Sequence, residues 1–577
     1  MLVNEEAGNL ARKTIGFVCS GGLKENLYVR LTAPTQEVQE GSFIVIGSGN
    51  WHFYGIATDL QLGASDPRFT EEQSSAHLPQ ELSRILRAET LYANMVVLPA
   101  LMLEVGPPLN SPLYESWRKA IESGDTEEPR PMPVKTLPDH FAQAWVAAGE
   151  DISAIFGKPD QDGNFVIGST REQGHDVCIN LDKFIQRSSG IFGATGTGKS
   201  FLTRIILAGL IDRDKASVLV YDMHNEYGLD DTASDTGENV IGLRTAFGRS
   251  RVQIVGLGAD TNIRGTAPDF NLVLSTSDIM PEDVELLARE LNLRETTATT
   301  LDALVQSFTR KNWFKEFMAL KQGAMSEDEN GKKTPAENSV AYWANNAGIN
   351  TMAAEALYSK LKRLKNRAYI VEDPPSDSIA DIIASLKKGK HIVLSFGDYQ
   401  EDLDYLLVSN LLTRRIREEW ERMTNHFRST KEGEPRQLVI AVEEAHKLLK
   451  SELASQTTFS TIAREMRKYY VTLLVIDQRP SQIYDEVMSQ LGTRVCGWLG
   501  DEDDIHAVLS GLAGREALRG MLARLQPKEE VLLLGWGVPM PILVRSRRYD
   551  GEFWKTIKHS SNKDFDRDAA IGKLMPN

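Results

Sequence analysis

The chain has 577 residues, of which 41% are hydrophobic and 25% charged, and its formal net charge is −15. This composition is ordinary for a globular protein of about three or four structural units. The negative net charge excludes a surface that is basic throughout. A basic channel inside an otherwise acidic protein could still bind nucleic acid. Cys19, Cys178 and Cys496 lie far apart and are odd in number, which argues against a disulfide framework or a zinc cluster and favours the cytoplasm.

Short β-branched runs separated by Gly, Asn and Pro clusters dominate the first part of the chain. They read TIGFVCS, NLYVRLTA, GSFIVIGS and WHFYGIATDLQLG. This spacing is typical of a small barrel or sandwich, so we predict an N-terminal β-barrel over residues 1–115. The most apolar stretch, residues 93–105, is only about 13 residues long and predicts a core strand rather than a membrane span. The charged N-terminus lacks the apolar segment of a signal peptide, so we expect no membrane association.

The next segment, residues 116–164, is polar and predicts a linker with one helix near residues 140–148. Over residues 165–550, apolar runs alternate with amphipathic stretches, and the runs read GIFGA, SVLVYD, HIVLSF, QLVIAV, VTLLVID, RVCGWLG and EVLLLGW. Such continuous runs predict parallel strands covered on both faces, in a doubly wound α/β sheet. Residues 276–381 show helical patterns only and predict a helical insertion, with a polar, mobile stretch at 324–335. Residues 551–577 predict a C-terminal arm.

A glycine-rich motif lies between an apolar run and a helical pattern in SGIFGATGTGKSFLTRIILAGLI, residues 189–211. The spacing G-x-x-x-x-G-K-S between a strand and a helix is that of a P-loop, whose backbone N–H groups surround phosphate oxygens. Lys199 would reach the β- and γ-phosphates, and the Ser200 hydroxyl would bind Mg²⁺. We therefore predict ATP and Mg²⁺ as ligands. The predicted nucleotide-binding residues are Gly193, Ala194, Thr195, Gly196, Thr197, Gly198, Lys199, Ser200 and Phe201.

Two acidic segments could complete a hydrolytic site. In QLVIAVEEAHKLL, residues 437–449, Glu443 would hold Mg²⁺ partly through water and Glu444 would act as general base, unless both are solvated glutamates at the start of a helix. In SVLVYDMHNEYG, residues 217–228, Asp222 and Glu226 are secondary candidates for a place near the γ-phosphate. The alternative there is an acidic turn that caps a local feature.

Three further polar residues have candidate catalytic roles. Gln478, at the end of the run TLLVID, could sense the γ-phosphate or hold the attacking water, or simply bond at a strand end. Arg464 and Arg467 in TIAREMRKYY are three residues apart and therefore share one helical face. Either could complete a neighbouring subunit's site, and the alternative is a solvated basic face. His224 and His446 lack partners at metal-ligand spacing, so we expect both to be structural.

Together these motifs resemble the HerA branch of the HerA/FtsK family of ring-forming DNA-pumping ATPases, over about residues 10–550. The family-specific features are the tyrosine after Glu226, the EEAH sequence, and DQRPS after an AREMRK helix. Upstream, GFVCSGGLKENLYVRL and GSFIVIGSGNWHFYGIATDL resemble the small barrel that precedes the ATPase in HerA proteins. Many relatives have glycine where this chain has Met466. Methionine at this position leaves both arginines in place but stiffens the helix.

The resemblance implies an ATP-hydrolysing homohexamer around double-stranded DNA, a translocase or helicase with ATP bound between subunits. Arg464 or Arg467 would then reach the site in trans. It also implies a separate effector subunit, either a nuclease or a sirtuin-like protein, which would bind through the N-terminal barrel. Both DNA repair and antiviral defence are compatible with it.

Two functions stay open at this stage. One is a motor whose pore loops grip the DNA backbone, with Arg264, Lys447 and Lys450 as candidate pore residues. The other is a nucleotide-gated ring scaffold that assembles and regulates an effector enzyme, which the acidic net charge weakly favours. A transport or metabolic ATPase is the weaker interpretation, because the sequence shows no transporter signature.

Overall fold

The computed structural model describes residues 12–557, apart from residues 24, 66–90, 108–110, 126, 128, 234–236, 260, 295, 328–332, 454–456 and 513. The chain divides into two compact units. The first unit comprises the chain up to Asn180 together with Gly193–Lys199 and Thr493–Arg547. The second comprises Leu181–Phe192, Ser200–Gly492 and the chain from Arg548 onwards.

The strands are β1 (Gly16–Gly21), β2 (Leu27–Leu31), β3 (Phe43–Ser48), β4 (Trp51–Ala64), β5 (Leu91–Glu104), β6 (Met132–Pro133), β7 (Gln143–Val146), β8 (Asn164–Ser169), β9 (Asp176–Asn180), β10 (Ser189–Phe192), β11 (Ser217–Asp222), β12 (Asp231–Thr232), β13 (Asn239–Val240), β14 (Val252–Leu257), β15 (Phe270–Leu272), β16 (Leu274–Ser275), β17 (Met325–Glu327), β18 (Lys333–Pro335), β19 (Ile370–Val371), β20 (His391–Ser395), β21 (Leu438–Glu443), β22 (Val471–Asp477), β23 (Thr493–Cys496), β24 (Glu530–Gly535) and β25 (Ile542–Ser546). The α-helices are α1 (Tyr114–Glu122), α2 (Gly149–Phe156), α3 (Leu181–Gln186), α4 (Lys199–Asp212), α5 (Leu243–Phe247), α6 (Pro281–Leu286), α7 (Thr297–Ala319), α8 (Val340–Asn346), α9 (Thr351–Lys365), α10 (Ser378–Lys387), α11 (Asp402–Thr430), α12 (Thr458–Glu465), α13 (Asp485–Gln490), α14 (Glu502–Leu509), α15 (Arg515–Ala523) and α16 (Gly551–Thr556).

Six strands of the first unit close into an antiparallel barrel. The strands follow the order β2-β1-β7-β3-β4-β5, and β5 pairs back onto β2 between Leu27↔Val97 and Arg30↔Asn94. Closure leaves no unpaired strand edge within the barrel. Alternate side chains, such as Val29, Ile44 and Val97, fill its apolar core. The predicted N-terminal barrel is therefore confirmed.

One barrel strand lies outside the predicted barrel boundary. Residues 143–146 form β7, whereas the sequence analysis placed a helix near residues 140–148 within a linker. β7 pairs with β1 at Gly16↔Ala144 and with β3 at Ile46↔Ala144. The helix prediction is wrong because the free edges of β1 and β3 supply backbone hydrogen-bond partners that the local pattern does not reveal. The helix of this region is α2, which follows β7 directly.

A second sheet of the first unit is antiparallel throughout. Its order is β23-β24-β25-β8-β9, and each neighbouring pair after β23 runs antiparallel. The apolar runs RVCGWLG and EVLLLGW predicted parallel strands, and for β23 against β24 that prediction is wrong, because the two strands pair antiparallel. A continuous apolar run reports burial on both faces and does not report strand direction.

The second unit contains a parallel sheet of seven strands in the order β15-β14-β20-β11-β21-β22-β10. All six pairings are parallel. The registers Phe192↔Asp477, Glu443↔Ile476 and Asp222↔Ser395 bring the carboxyl ends of five central strands to one edge. The predicted α/β class with a doubly wound P-loop sheet is confirmed, and this edge is where such sheets bind ligands.

The region between β16 and β20 is mainly helical, as predicted, and contains α6–α10. α7 is interrupted at Thr309, whose backbone is not helical (φ 68°, ψ 156°). Trp313 is buried and its indole Nε1 donates to the Ile279 carbonyl at 3.0 Å. The polar stretch at 324–335 is partly ordered, because β17 pairs with β18, and residues 328–332 lie outside the described residues.

The predicted C-terminal arm begins as a packed helix. α16 buries Phe553 and Trp554, and residues 558–577 lie outside the described residues. Within the described ranges, no helix combines the length and apolar character needed to cross a membrane.

Candidate functional site

The glycine loop, residues 193–199, has a fixed conformation within the first unit. The Thr197 hydroxyl donates to the Ala194 carbonyl at 2.7 Å. Backbone hydrogen bonds join Ala194 N to the Trp498 carbonyl at 3.0 Å and Lys528 N to the Thr197 carbonyl at 3.1 Å. Both ends of the loop are therefore held by the chain around it.

Two glycines give this loop its shape. Gly196 (φ 78°) and Gly198 (φ 89°) have left-handed backbones that side-chain-bearing residues rarely adopt. A Cβ atom at Gly196 would have no other atom within 4 Å, so the loop is open on that side. The loop runs directly into α4, whose first turn holds Lys199 and Ser200. A glycine-rich turn that leads into the positive end of a helix suits a phosphate chain, so the loop fits the predicted ATP.

Replacing Gly198 by alanine is expected to weaken ATP binding by about tenfold. Alanine at φ 89° is strained by about 1–2 kcal/mol, and the loop would relieve that strain by leaving its phosphate-binding shape. Fluorescent ATP-analogue titration measures the effect. Gly124→Ala is the matched control, because Gly124 (φ 78°) also has a left-handed backbone and lies outside the glycine loop. Equal affinities for the two variants would contradict the prediction.

Glu443 is held from two sides in the second unit. It is the last residue of β21 and only 3% exposed. The Tyr227 hydroxyl donates to Glu443 Oε1 at 3.2 Å, and the Tyr405 hydroxyl donates to the Glu443 backbone carbonyl at 2.6 Å. Burial and the nearby Glu443 carboxylate raise the pKa of Tyr227 well above its usual value, so this phenol stays a donor. Glu443 therefore has the fixed orientation that a metal-binding carboxylate needs.

Glu444 follows β21 in a left-handed conformation (φ 46°, ψ 47°) that turns the chain away from the strand. The Gln478 amide donates to Glu444 Oε2 at 3.1 Å, and His446 Nδ1 lies 3.6 Å from the same oxygen. The structure thus brings together Glu444 and Gln478, which the sequence predicted separately. A carboxylate positioned in this way can accept a proton from a water molecule.

Asp477 is a structural carboxylate that the sequence analysis did not identify. It is fully buried at the end of β22 and accepts hydrogen bonds from His446 N at 2.7 Å, His446 Nδ1 at 3.0 Å and Arg479 N at 2.7 Å. Burial alone would raise the pKa of Asp477, but the hydrogen bonds and charge of His446 and the Arg479 N–H outweigh it and lower that pKa. Asp477 therefore fixes the loops that carry Glu444 and Gln478, and His446 is structural, as expected.

Asp222 closes a local loop. Its carboxylate accepts from the backbone N–H groups of Glu226 at 2.7 Å, Tyr227 at 2.9 Å and Gly228 at 3.4 Å. Burial raises the pKa of Asp222 to about 6, with a contribution from the Glu226 charge, although these backbone bonds oppose the rise. Asp222 therefore fits the second interpretation, an acidic residue that caps a local turn.

Glu226 differs from Asp222, because its Oε2 is buried without a hydrogen-bond partner among the described residues. The Arg204 guanidinium donates to the Glu226 backbone carbonyl and fixes this residue on the loop. Arg204 is 4% exposed in α4, where it is the one charged residue between Phe201 and Ile211. A single arginine in an apolar helix was the sequence signal for this contact. Glu226 Oε2 is left as an acceptor for a water molecule.

Arg464 and Arg467 do not share one α-helical face, so that prediction is wrong. α12 ends at Glu465, and Arg467 lies in the 3₁₀ helix Met466–Tyr469. Buried Met466 and left-handed Tyr470 turn the chain directly into β22, which ends the α-helix early. Arg464 Nη1 pairs with Glu486 at 3.2 Å, whereas exposed Arg467 has no ion pair with any residue that the structure describes.

Two of the three candidate pore cations are neutralised within the chain. Arg264 Nη1 lies 2.8 Å from Asp231, and Lys447 Nζ lies 2.8 Å from Asp402. Lys450 is partly exposed and has no ion pair in the described part of the chain. Phe201, the last of the predicted nucleotide-binding residues, packs its ring against Tyr549, with the ring centroids 6.3 Å apart.

The residues of the site fit Mg²⁺ only as a small number of protein ligands. The described residues contain no group of three or more His, Cys, Asp or Glu side chains that could hold a metal ion by themselves. Mg²⁺ usually keeps several waters and takes phosphate oxygens with only one or two protein ligands. Ser200 Oγ and the fixed carboxylate of Glu443 supply that small set.

Comparison with known proteins gives one family match and several relatives. Residues 165–416 match the family model described as Helicase HerA, central domain. The chain is 25% identical over 429 residues to the DNA double-strand break repair helicase HerA of Saccharolobus solfataricus, covering 72% of this chain and 76% of that protein. It is 21% identical over 384 residues to the HerA of Pyrococcus furiosus, covering 64% and 66%.

Solved structures give more distant matches. The bacterial conjugative coupling protein TrwB is 14% identical with a TM-score of 0.43, covering 73% of this chain and 95% of that chain. VirB4 of Thermoanaerobacter pseudethanolicus is 16% identical with a TM-score of 0.39, covering 67% and 97%.

Proposed function

We propose that the chain is a HerA-type ATPase, a motor that hydrolyses ATP to move along double-stranded DNA, and the match of residues 165–416 to the central domain of Helicase HerA supports this proposal. The observation that carries the proposal is the carboxyl edge of the parallel sheet, where Glu443 is held by two tyrosines and Glu444 by Gln478. The relatives named DNA double-strand break repair helicase HerA support the choice of DNA as the track.

The chain's own residues divide the work of hydrolysis. The glycine loop and Lys199 would bind the triphosphate, and Ser200 and Glu443 would hold Mg²⁺, which would neutralise charge on the transferring phosphoryl group. Glu444 accepts the proton of the attacking water, while the Gln478 amide keeps the carboxylate oriented towards that water. Asp477 and His446 hold the two loops at a constant separation.

We further propose a homohexamer in which Arg467 completes the neighbouring subunit's site. Arg467 is exposed and not engaged in an ion pair, whereas Arg464 is paired with Glu486 in its own chain. An exposed guanidinium without a carboxylate partner can stabilise the charge of a transferring phosphoryl group in trans. Both arginines were candidates for this role in trans, and the ion pair of Arg464 with Glu486 favours Arg467.

A separate effector subunit, a nuclease or a sirtuin-like protein, belongs to the same proposal. The barrel unit exposes several large apolar side chains, including Phe141 at 78%, Leu23 at 55% and Leu137 at 42%. Exposed apolar residues near one another in sequence and fold often mark protein–protein contacts. These residues support the barrel as the effector's docking region, in either DNA repair or antiviral defence.

Long duplex DNA is expected to stimulate ATP turnover several-fold, and electron microscopy is expected to show a sixfold ring with a hole wide enough for duplex DNA. The physical reason is that a motor couples its hydrolysis to contact with its track. Turnover is measured with and without linear duplex, and short single strands serve as the control. A protein that neither binds duplex DNA at low salt nor responds to it in turnover is not a DNA motor.

A nucleotide-gated scaffold is the second candidate. It gains support from the ion pairs of Arg264 and Lys447, which remove two of three candidate pore cations from direct phosphate contact, and from the net charge of −15. In this function, ATP binding orders the ring and its effector, and hydrolysis resets it. A hydrolysis-deficient variant separates the two functions, as the Discussion sets out.

A further inference from the structure

The last turns of α9 (Thr351–Lys365) and the two residues after it are unusually basic. Lys360, Lys362, Arg363, Lys365 and Arg367 lie within eight residues that contain no carboxylate, in a chain whose net charge is −15. Cations in the final turn are favourable to a helix, because the helix end carries partial negative charge. That effect alone does not explain how the side chains are held.

Three of these cations bind neutral backbone oxygens of other segments. Lys360 Nζ donates to the Asn292 carbonyl, Arg363 Nη1 donates to the Glu290 carbonyl at 3.2 Å, and Lys365 Nζ donates to the Met318 carbonyl at 3.2 Å. None of the three forms an ion pair with a carboxylate of the described residues. The carbonyls fix the positions of the side chains, and the positive charges are not neutralised.

Three other surface cations of the same unit form ion pairs with carboxylates. Arg310 pairs with Glu282 at 2.5 Å, Lys315 with Asp373 at 3.3 Å and Lys387 with Glu419 at 2.8 Å. The segment that accepts hydrogen bonds from Lys360 and Arg363 adds two further exposed cations, Arg289 and Arg294. Six cations without an ion pair among the described residues therefore lie on these two segments, and we call them the basic face: Arg289, Arg294, Lys360, Lys362, Arg363 and Lys365.

We propose that the basic face binds the phosphate backbone of double-stranded DNA, as a contact on the helical insertion that is separate from the nucleotide site. The proposal rests on the proposed DNA motor function. Cations that are already ordered lose little side-chain entropy when a phosphate binds, and binding releases counterions from the DNA. An acidic protein surface is the other class of polyanion, and it is an outcome of the test below.

The end of the basic helix also connects to Glu443. Arg367 pairs with Asp404 at 3.1 Å, and the Tyr369 hydroxyl donates to Asp404 Oδ1 at 2.5 Å. Tyr405 follows Asp404 in the chain, and its hydroxyl donates to the Glu443 backbone carbonyl at 2.6 Å. Arg367, two residues after Lys365 of the basic face, therefore begins a series of contacts that leads to the metal-binding carboxylate. Loss of the face should reduce DNA stimulation of turnover and leave turnover without DNA unchanged.

The test compares two triple variants of the full chain that remove the same charge. Lys360→Gln, Arg363→Gln and Lys365→Gln together remove the basic face, and Arg310→Gln, Lys315→Gln and Lys387→Gln together form the control. Binding of a fluorescent duplex is measured by anisotropy without nucleotide, from about 50 to 200 mM salt. The first variant is expected to bind at least about tenfold more weakly near 100 mM salt, with a salt slope lower by about two to three. The control is expected to stay within about twofold of wild type.

A single variant guards against misfolding of the triple one. Lys362 is exposed and its side chain forms no hydrogen bond or ion pair with a described residue, so Lys362→Glu should fold normally and still weaken binding about threefold. If wild type binds duplex and both basic-face variants bind it as tightly as wild type does, the basic face is not a DNA site, which leaves an acidic protein surface as the polyanion that it would bind. If wild type does not bind duplex even at low salt, both the proposed DNA site on the basic face and the proposed motor function are wrong.

Discussion

Glu444→Gln is expected to reduce ATP turnover by at least about 100-fold while ATP binding stays close to wild type. The amide keeps the size of the side chain and its contact with Gln478, but it cannot accept the proton of the attacking water. Steady-state phosphate release measures turnover, and fluorescent ATP-analogue titration measures binding. Glu452→Gln is the matched control, because Glu452 is an exposed glutamate in the same region and should keep full activity. Turnover above about a tenth of wild type would exclude Glu444 as the general base.

A Glu444 variant also separates the motor from the scaffold. A motor that cannot hydrolyse ATP cannot move along DNA, so Glu444→Ala should abolish translocation completely. A scaffold with the same change should still assemble its ring and its effector in the ATP-bound state. Translocation on a tethered duplex and co-purification of the effector are the two measurements.

Asp477→Ala is expected to destabilise the chain by about 3 kcal/mol and to lower the unfolding temperature by about 5 °C. The change removes the acceptor of three partly buried hydrogen bonds, whose donors are His446 N, His446 Nδ1 and Arg479 N. Thermal unfolding followed by circular dichroism measures the loss. Exposed Asp485→Ala is the control and should stay within about 0.5 kcal/mol of wild type. A variant as stable as the control would show that water replaces the carboxylate.

The loss caused by Asp477→Ala should depend on pH. Because the pKa of Asp477 is lower in the folded chain than its ordinary value, the ionised carboxylate stabilises the fold above that ordinary value. The stabilisation disappears as the pH falls through the lower folded pKa. The difference in stability between wild type and variant should therefore be constant near neutral pH and become smaller in acid.

The sequence allowed the local parts of the site to be predicted. The glycine spacing identified the loop of residues 193–199, and the apolar run before Glu443 identified a buried strand that ends at a carboxylate. Both are contiguous patterns of fewer than about ten residues, the range over which periodicity and turn chemistry are informative. Gln478 was predicted for the same reason, since it follows directly after an apolar strand.

The long-range parts could not be predicted. The hydroxyl of Tyr405 reaches Glu443 from a helix 38 residues earlier in the chain, and nothing in the sequence near Tyr405 indicates that contact. The strand β7 depends on two unpaired edges supplied by strands more than about 90 residues earlier. The early end of α12 depends on the burial of Met466, which its helical propensity does not reveal. In each case a tertiary partner decides the local structure.

The late strand in the N-terminal barrel has a consequence for how the chain is made. β1 and β3 leave the ribosome early, but β7, which lies between them in the sheet, is completed only at Val146. Until then the nascent barrel presents two open strand edges, which are the usual starting points for aggregation during synthesis. A fragment that stops at residue 115 keeps those edges open permanently, so a usable expression fragment of the barrel has to extend past β7.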